Sequence, residues 1–292
     1  MLLHAKASEV SVETKQVEIV APLALGEFFD KITILVIKRE NINDPQKRIN
    51  IDKEYKLLTK IYVEKIAHSE ELQDLIENLT EVNKALWRLE DLTRDKERNK
   101  EFDDEFKQWV KEILQNNDTR FKIKRAINMT LDSPLIEEKS YEETLAQEIE
   151  TDVKIPTHAT SSNIPLISIP ISLADLVDRI TILQIKLERI EDPEKRVNIR
   201  NEYETLSAIF NQAIESSAEL DNLYAQLLEA NKRAWDIHDL IRKKALADEL
   251  DEDFVELGRG VYHANDARVR AKQAINKLFN SALVDEKLYA SY

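Results

Sequence analysis

The chain has 292 residues, with 42 Lys and Arg against 56 Asp and Glu, and a formal net charge of -14. A surface of that sign repels phosphate backbones and disfavours nucleic acid as a partner, a local basic groove excepted. The absence of Cys excludes disulfides, thiolate metal sites and cysteine nucleophiles, and three Gly and seven Pro among 34% charged and 42% hydrophobic residues describe long helices rather than strands and loops.

From the N-terminus, residues 1–21 lack the long apolar core of a secretion signal, and no later segment approaches the ~18 apolar residues that span a bilayer. A cytoplasmic protein without membrane insertion is expected. A short β-like segment at 17–22 precedes four helical stretches at about 25–42, 45–67, 70–98 and 104–131, separated by breakers such as Asp44-Pro45. Short connections favour antiparallel neighbours, hence an up-down four-helix bundle.

The same pattern then recurs. Asp30-Lys-Ile-Thr-Ile-Leu-Val-Ile-Lys38 matches Asp178-Arg-Ile-Thr-Ile-Leu-Gln-Ile-Lys186, and the offset of 148 holds without a gap, so that 44 of the 104 positions from Leu25 to Asn128 are identical to their partners from Leu173 to Asn276. The fold class is therefore all-α, two tandem up-down four-helix bundles related by an internal repeat, each preceded by a short β-like segment. The expected division is an N-terminal segment 1–21, repeat 1 at 22–131, an acidic, flexible linker at 132–168 with a short helix near 141–150, repeat 2 at 169–282 and a tail at 283–292. The β-like segments at 17–22 and 165–170 are suited to pair as a small ribbon.

Helix periodicity places polar groups on faces that belong to the interior. In repeat 2 these are Lys195, Asn198 and Glu202 on the second helix, Asn231, Trp235 and Arg242 on the third, and Asn265, Arg268 and Lys272 on the fourth. Repeat 1 carries the same types at Lys47, Asn50, Glu54, Asn83, Trp87, Arg94, Asn117, Arg120 and Lys124. One reading is a satisfied buried network in which Asp30, Glu54 and Asp91 pair with Lys47, Arg94, Arg120 and Lys124. The other starts from the surplus of bases over acids, which suits an anion: charge-assisted bonds for a phosphate or carboxylate, amides for hydroxyls and an indole for a ring. Repeat 2 is the more open candidate, because Leu86 becomes Ala234 and Val110 becomes Gly258. Gly258-Arg-Gly260 within a helical pattern signals close approach of a ligand or another backbone, while Tyr262 in place of Leu114 would refill space.

His238 beside Asp239 is a candidate general base, the sequence's nearest approach to a catalytic group. No metal motif, phosphate loop or nucleophile elbow is present, so neither metal nor cofactor is expected. The expected function is binding of an anionic small molecule, of sugar-phosphate or nucleotide-sugar type, inside the bundle, with or without a reaction. The alternative is a non-enzymatic scaffold presenting duplicated bundles to a partner protein.

The string around Asp178, with Asn231-x-x-x-Trp235, Asp239-x-x-Arg242 and Tyr262-x-x-Asn265-Asp266-x-Arg268, resembles an all-helical bacterial domain family of unknown function. Its members occur near or fused to enzymes of cell-surface polysaccharide assembly. The resemblance implies a sugar or sugar-nucleotide ligand and names no catalytic residue. Repeat 2 follows the pattern over its length, whereas repeat 1 departs at Glu90, Leu114 and Asn116.

Overall fold

A computed structural model of the chain describes residues 18–138, 166–284 and 286. Strand β1 (Ile19–Pro22) leads into α1 (Leu25–Asn41), α2 (Pro45–Lys65), α3 (Glu70–Asn99) and α4 (Asp104–Thr130). Strand β2 (Ser168–Ile171) leads into α5 (Leu173–Arg189), α6 (Pro193–Ala213), α7 (Ala218–Leu246) and α8 (Glu252–Leu278). The helix starts follow from capping chemistry. Asp44 and Asp192 each accept a backbone N–H ahead of a first-turn Pro, and Ser69, Asp103, Ser217 and Asp251 cap the third and fourth helices of each repeat. The expected helix at 141–150 lies outside the described residues. Among the described residues no helix is long and apolar enough to cross a membrane.

The two strands pair antiparallel, with Ile19 opposite Ile171 and Pro22 opposite Ser168. Pro22 and Pro170 are tolerated because each strand has only one neighbour, so a missing N–H leaves no ladder broken on a second side. Ile19, Ala21, Ile169 and Ile171 alternate onto one face and are buried. Beneath them a single large apolar cluster takes residues from both repeats, among them Phe28, Leu72, Ile123, Leu173, Leu227 and Ile275.

Within each repeat the first, third and fourth helices pack on one another, and the second packs on the first. The second helix buries only Ile51 and Leu58, or Ile199 and Leu206, seven residues apart on a single narrow stripe. Of its polar residues, Glu54 and Glu202 stay on that stripe, covered by ion pairs to Lys31 and Arg179 of the first helices.

A second, smaller cluster forms where the fourth helices meet: Phe106, Val110 and Leu114 of α4 against Phe254, Val255 and Tyr262 of α8, with Ile241 of α7. Val110 and Gly258 are repeat equivalents and touch each other, which places them on the pseudo-twofold axis relating the repeats. A Cβ on Gly258 would lie 3.2 Å from a Val110 methyl. The close approach signalled by this glycine is thus made by a side chain of the other repeat. Gly260 instead faces Ile237 of α7 in its own bundle.

At Gly26 the constraint is tighter. A Cβ there would lie 2.3 Å from the Lys124 carbonyl oxygen, so α1 and α4 approach backbone to backbone, and the Gly26 N–H donates to Asn128 Oδ1 at 2.6 Å. Repeat 2 has Ala174 at this place, with the corresponding bond at 3.1 Å. Gly26→Ala is expected to destabilise by about 1–3 kcal/mol through overpacking, and Ala174→Gly by no more than about 1 kcal/mol through backbone entropy. Denaturant midpoints of the two variants check the ordering; equal losses would mean that α1 and α4 move apart freely.

Candidate functional site

Each repeat is organised around one carboxylate. Asp30 on α1 accepts from Asn83 of α3 at 2.9 Å and from Arg120 of α4 through Nε at 2.8 Å and through Nη2, while Asn83 also donates to Thr33 at 2.9 Å. Asp178 on α5 repeats this with Asn231 and Thr181, each at 2.9 Å. Here Arg268 of α8 reaches it with Nη2 alone, at 2.9 Å, and turns Nη1 to Asn265. The Nε of Arg268 is buried and has no hydrogen-bond partner among the described residues. One turn on, Lys272 bridges Asp175 at 2.7 Å and Asp178 at 3.6 Å, where its twin Lys124 contacts Glu27 and, at 2.8 Å, Glu137.

Among the ion pairs that cross between the repeats, two are related by the repeat offset. Arg242 of α7 pairs with Asp118 of α4 at 2.6 Å, and Arg94 of α3 with Asp266 of α8 at 3.3 Å. Each pair is the other's image under the repeat offset, as a twofold axis requires. The Arg242 and Asp118 side chains are 9% and 5% exposed, so this pair is held out of water.

Between the large cluster and the small one lies a cavity of about 490 Å³. It opens into repeat 2: α5, α7 and α8 supply most of its wall, and α3, α4 and Glu137 close the side toward repeat 1. Its wall carries six cationic side chains, Arg94, Arg120, Lys186, Arg242, Arg268 and Lys272, against three carboxylates, Glu90, Glu137 and Asp239. The Asp partners of these cations do not line the cavity; they hold the cationic groups from behind. Tyr262 also lines it, with the Arg94 guanidinium 5.4 Å from its ring centre.

Of the residues expected at the site, Asn231, Trp235, Arg242, Asn265, Arg268 and Lys272 line this cavity, as do Arg94, Asn117 and Arg120 of repeat 1 and both His238 and Asp239. His238 and Asp239 occupy consecutive positions of α7 and both line the cavity. Lys195, Asn198 and Glu202 do not line it. They sit on α6, where Glu202 pairs with Arg179 of α5 at 2.7 Å and Asn198 donates to Glu138 at 2.9 Å. Their counterparts behave alike, with Lys47 half-buried, Asn50 donating to Glu286 at 2.7 Å and Glu54 bound to Lys31 at 3.1 Å. Asn83 and Lys124 belong to the repeat 1 network, and Trp87 packs against the large cluster. Lys186 and Glu137 are charged cavity residues outside the expected set, and Ile182, Ile185 and Val269 line it as well. Glu137 stands in the segment read as acidic linker, yet it lies 3.8 Å from Lys186 and so bridges the two repeats.

The carboxylates respond in opposite directions. Burial alone would raise the Asp178 carboxyl, but Arg268 and Lys272 outweigh it and hold the group at about 2, below its ordinary 3.8. Burial pushes Glu27 from 4.5 up to about 7, against the pull of Lys124 and with the help of Glu137, which is hydrogen-bonded to it. Asp178 therefore contributes stability that is present above its ordinary value and lost as pH falls toward 2. Glu27 contributes stability that is present below its ordinary value and lost as pH rises through 7. Glu27→Gln, a mimic of the protonated acid, is expected to gain melting temperature relative to wild type as pH rises from about 5 to 7; a difference that stays constant over that range would mean that Glu27 titrates at its ordinary value.

Comparison with known proteins adds a family and nothing on activity. No curated protein and no solved structure matches the chain. The family model of DUF6165, a family of unknown function, matches twice, over residues 16–152 and 167–292, and the chain belongs to that family as a tandem duplication of its domain.

Proposed function

We propose that the protein binds an anionic small molecule, of sugar-phosphate or nucleotide-sugar type, in the cavity between the two repeats. The observation that carries this is the wall itself, with twice as many cations as carboxylates around a space of about 490 Å³. That volume falls within the range usual for small-molecule pockets, roughly 300–1,000 Å³. Guanidinium and ammonium groups already held by Asp118, Asp178, Asp175 and Asp266 lose little freedom when an anion arrives, so they are preorganised donors. The contrast between Arg120, which grips Asp30 through two nitrogens, and Arg268, which grips Asp178 through one, supports repeat 2 as the binding half and repeat 1 as the more structural half. A cytoplasmic setting beside bacterial cell-surface polysaccharide assembly, which the sequence resemblance implies, belongs to the same proposal.

The test is a thermal-shift screen of the full chain against inorganic phosphate, sugar phosphates and nucleotide sugars, repeated on Arg268→Ala. A ligand present at a hundred times its dissociation constant adds about 2.7 kcal/mol of stability. The expected result is a rise in melting temperature that Arg268→Ala, still folded, no longer shows. If no anion shifts wild type and Arg268→Ala melts far earlier, the polar interior serves packing alone, and the outer faces of the duplicated bundles become the candidate surfaces for a partner protein.

A further inference from the structure

Five of the six cations on the cavity wall are already held by a carboxylate 3.3 Å away or less. Lys186 of α5 is the exception. Its side chain is 9% exposed, its ammonium makes no hydrogen bond among the described residues, and the nearest carboxylate among them is Glu137, 3.8 Å away. That separation is too long for a hydrogen bond. The other residues that α5 contributes to the wall are Ile182 and Ile185, whose side chains offer no acceptor. An ammonium taken out of water without an acceptor is costly, and the cost is recovered when a partner with oxygen lone pairs enters.

Glu137 stands in for that partner imperfectly. The backbone on either side of it is anchored: Ser133 accepts the Leu25 N–H at 3.2 Å, and Glu138 accepts from Asn198 at 2.9 Å. Between these anchors the Glu137 carboxylate reaches Lys124 at 2.8 Å and falls short of Lys186. Lys124 has a second carboxylate in Glu27, which burial and the neighbouring Glu137 push up to about 7 against the pull of that lysine. When the Glu137 side chain turns away, Lys124 keeps Glu27, and the crowding of the two acids is relieved. Resting on the anion site proposed above, we propose that a phosphate or carboxylate oxygen of the ligand accepts from Lys186 and displaces the Glu137 side chain. Lys186 is then the direct contact, and Glu137 an internal competitor for it.

The experiment is calorimetric titration of the full chain with inorganic phosphate and with glucose 1-phosphate, on wild type, Lys186→Met and Glu137→Gln, with the melting temperature of each ligand-free protein. At least one of the two anions is expected to bind wild type. For that anion Lys186→Met is expected to lose about tenfold or more in affinity. It is also expected to melt no earlier than wild type, because methionine fills the space without a charge to solvate. Glu137→Gln is expected to gain about threefold, since the neutral amide leaves Lys186 to the ligand. An unchanged affinity in Lys186→Met would overturn the assignment and leave the anion site standing. An affinity of Glu137→Gln equal to or below that of wild type would overturn the displacement, and this arm decides the matter should Lys186→Met melt far earlier. If neither anion binds wild type, the inference falls together with the reading it rests on.

Discussion

One carboxylate per repeat sets the geometry on which the rest depends. Asp30 and Asp178 lie on the first helix of their bundles and gather donors from the third and fourth. A buried carboxylate without such partners would be forced to take up a proton or expose itself to water. With them, three helices are fixed in rotation and in register, because a slip of one residue on any helix would carry its donor about 100° away from the oxygen it serves. The apolar clusters supply most of the free energy of packing, but they are far less particular about register.

Much of this was legible before any coordinates. The offset of 148 and the 44 identities define the duplication, and periodicity with breakers such as Asp44-Pro45 places the helix starts where the structure has them. The polar stripe on the fourth helices was readable because Asn117, Arg120 and Lys124 recur at 265, 268 and 272. The stripe on the second helix misled for a physical reason. Amphipathic spacing says that one side of a helix is apolar, and Ile51 and Leu58 satisfy it without bringing Lys47, Asn50 or Glu54 to the cavity; Glu54 is covered instead by Lys31 of α1.

What sequence could not supply was the partner across the axis. The buried-network reading pairs Arg94 with a carboxylate of its own bundle, since periodicity gives a face and is silent about which helix will cover it. A faint signal existed: Asp118 and Asp266 are identical at the repeat offset and lie on the fourth helices beside the expected site residues, as a reciprocal pair of contacts requires. Glu137 carried none, because an acid within an acidic tract gives no sign that it folds back onto Lys124 and Lys186.

The contact between Val110 and Gly258 has a consequence for how such a protein can change over time. In a symmetric dimer of separate chains, a residue on the axis meets its own copy. Both sides must then be bulky or both must be bare, and the cross-section at that point is set by a single choice. Covalent linkage lifts this restriction. One half provides a knob and the other the hole that receives it, and the helices can close to a distance that neither residue would permit against itself. The same freedom extends to Leu86 and Ala234, so that one lobe can stay filled as a brace while the other is hollowed out. Duplication here did more than double a domain; it released the two halves from the obligation to be alike.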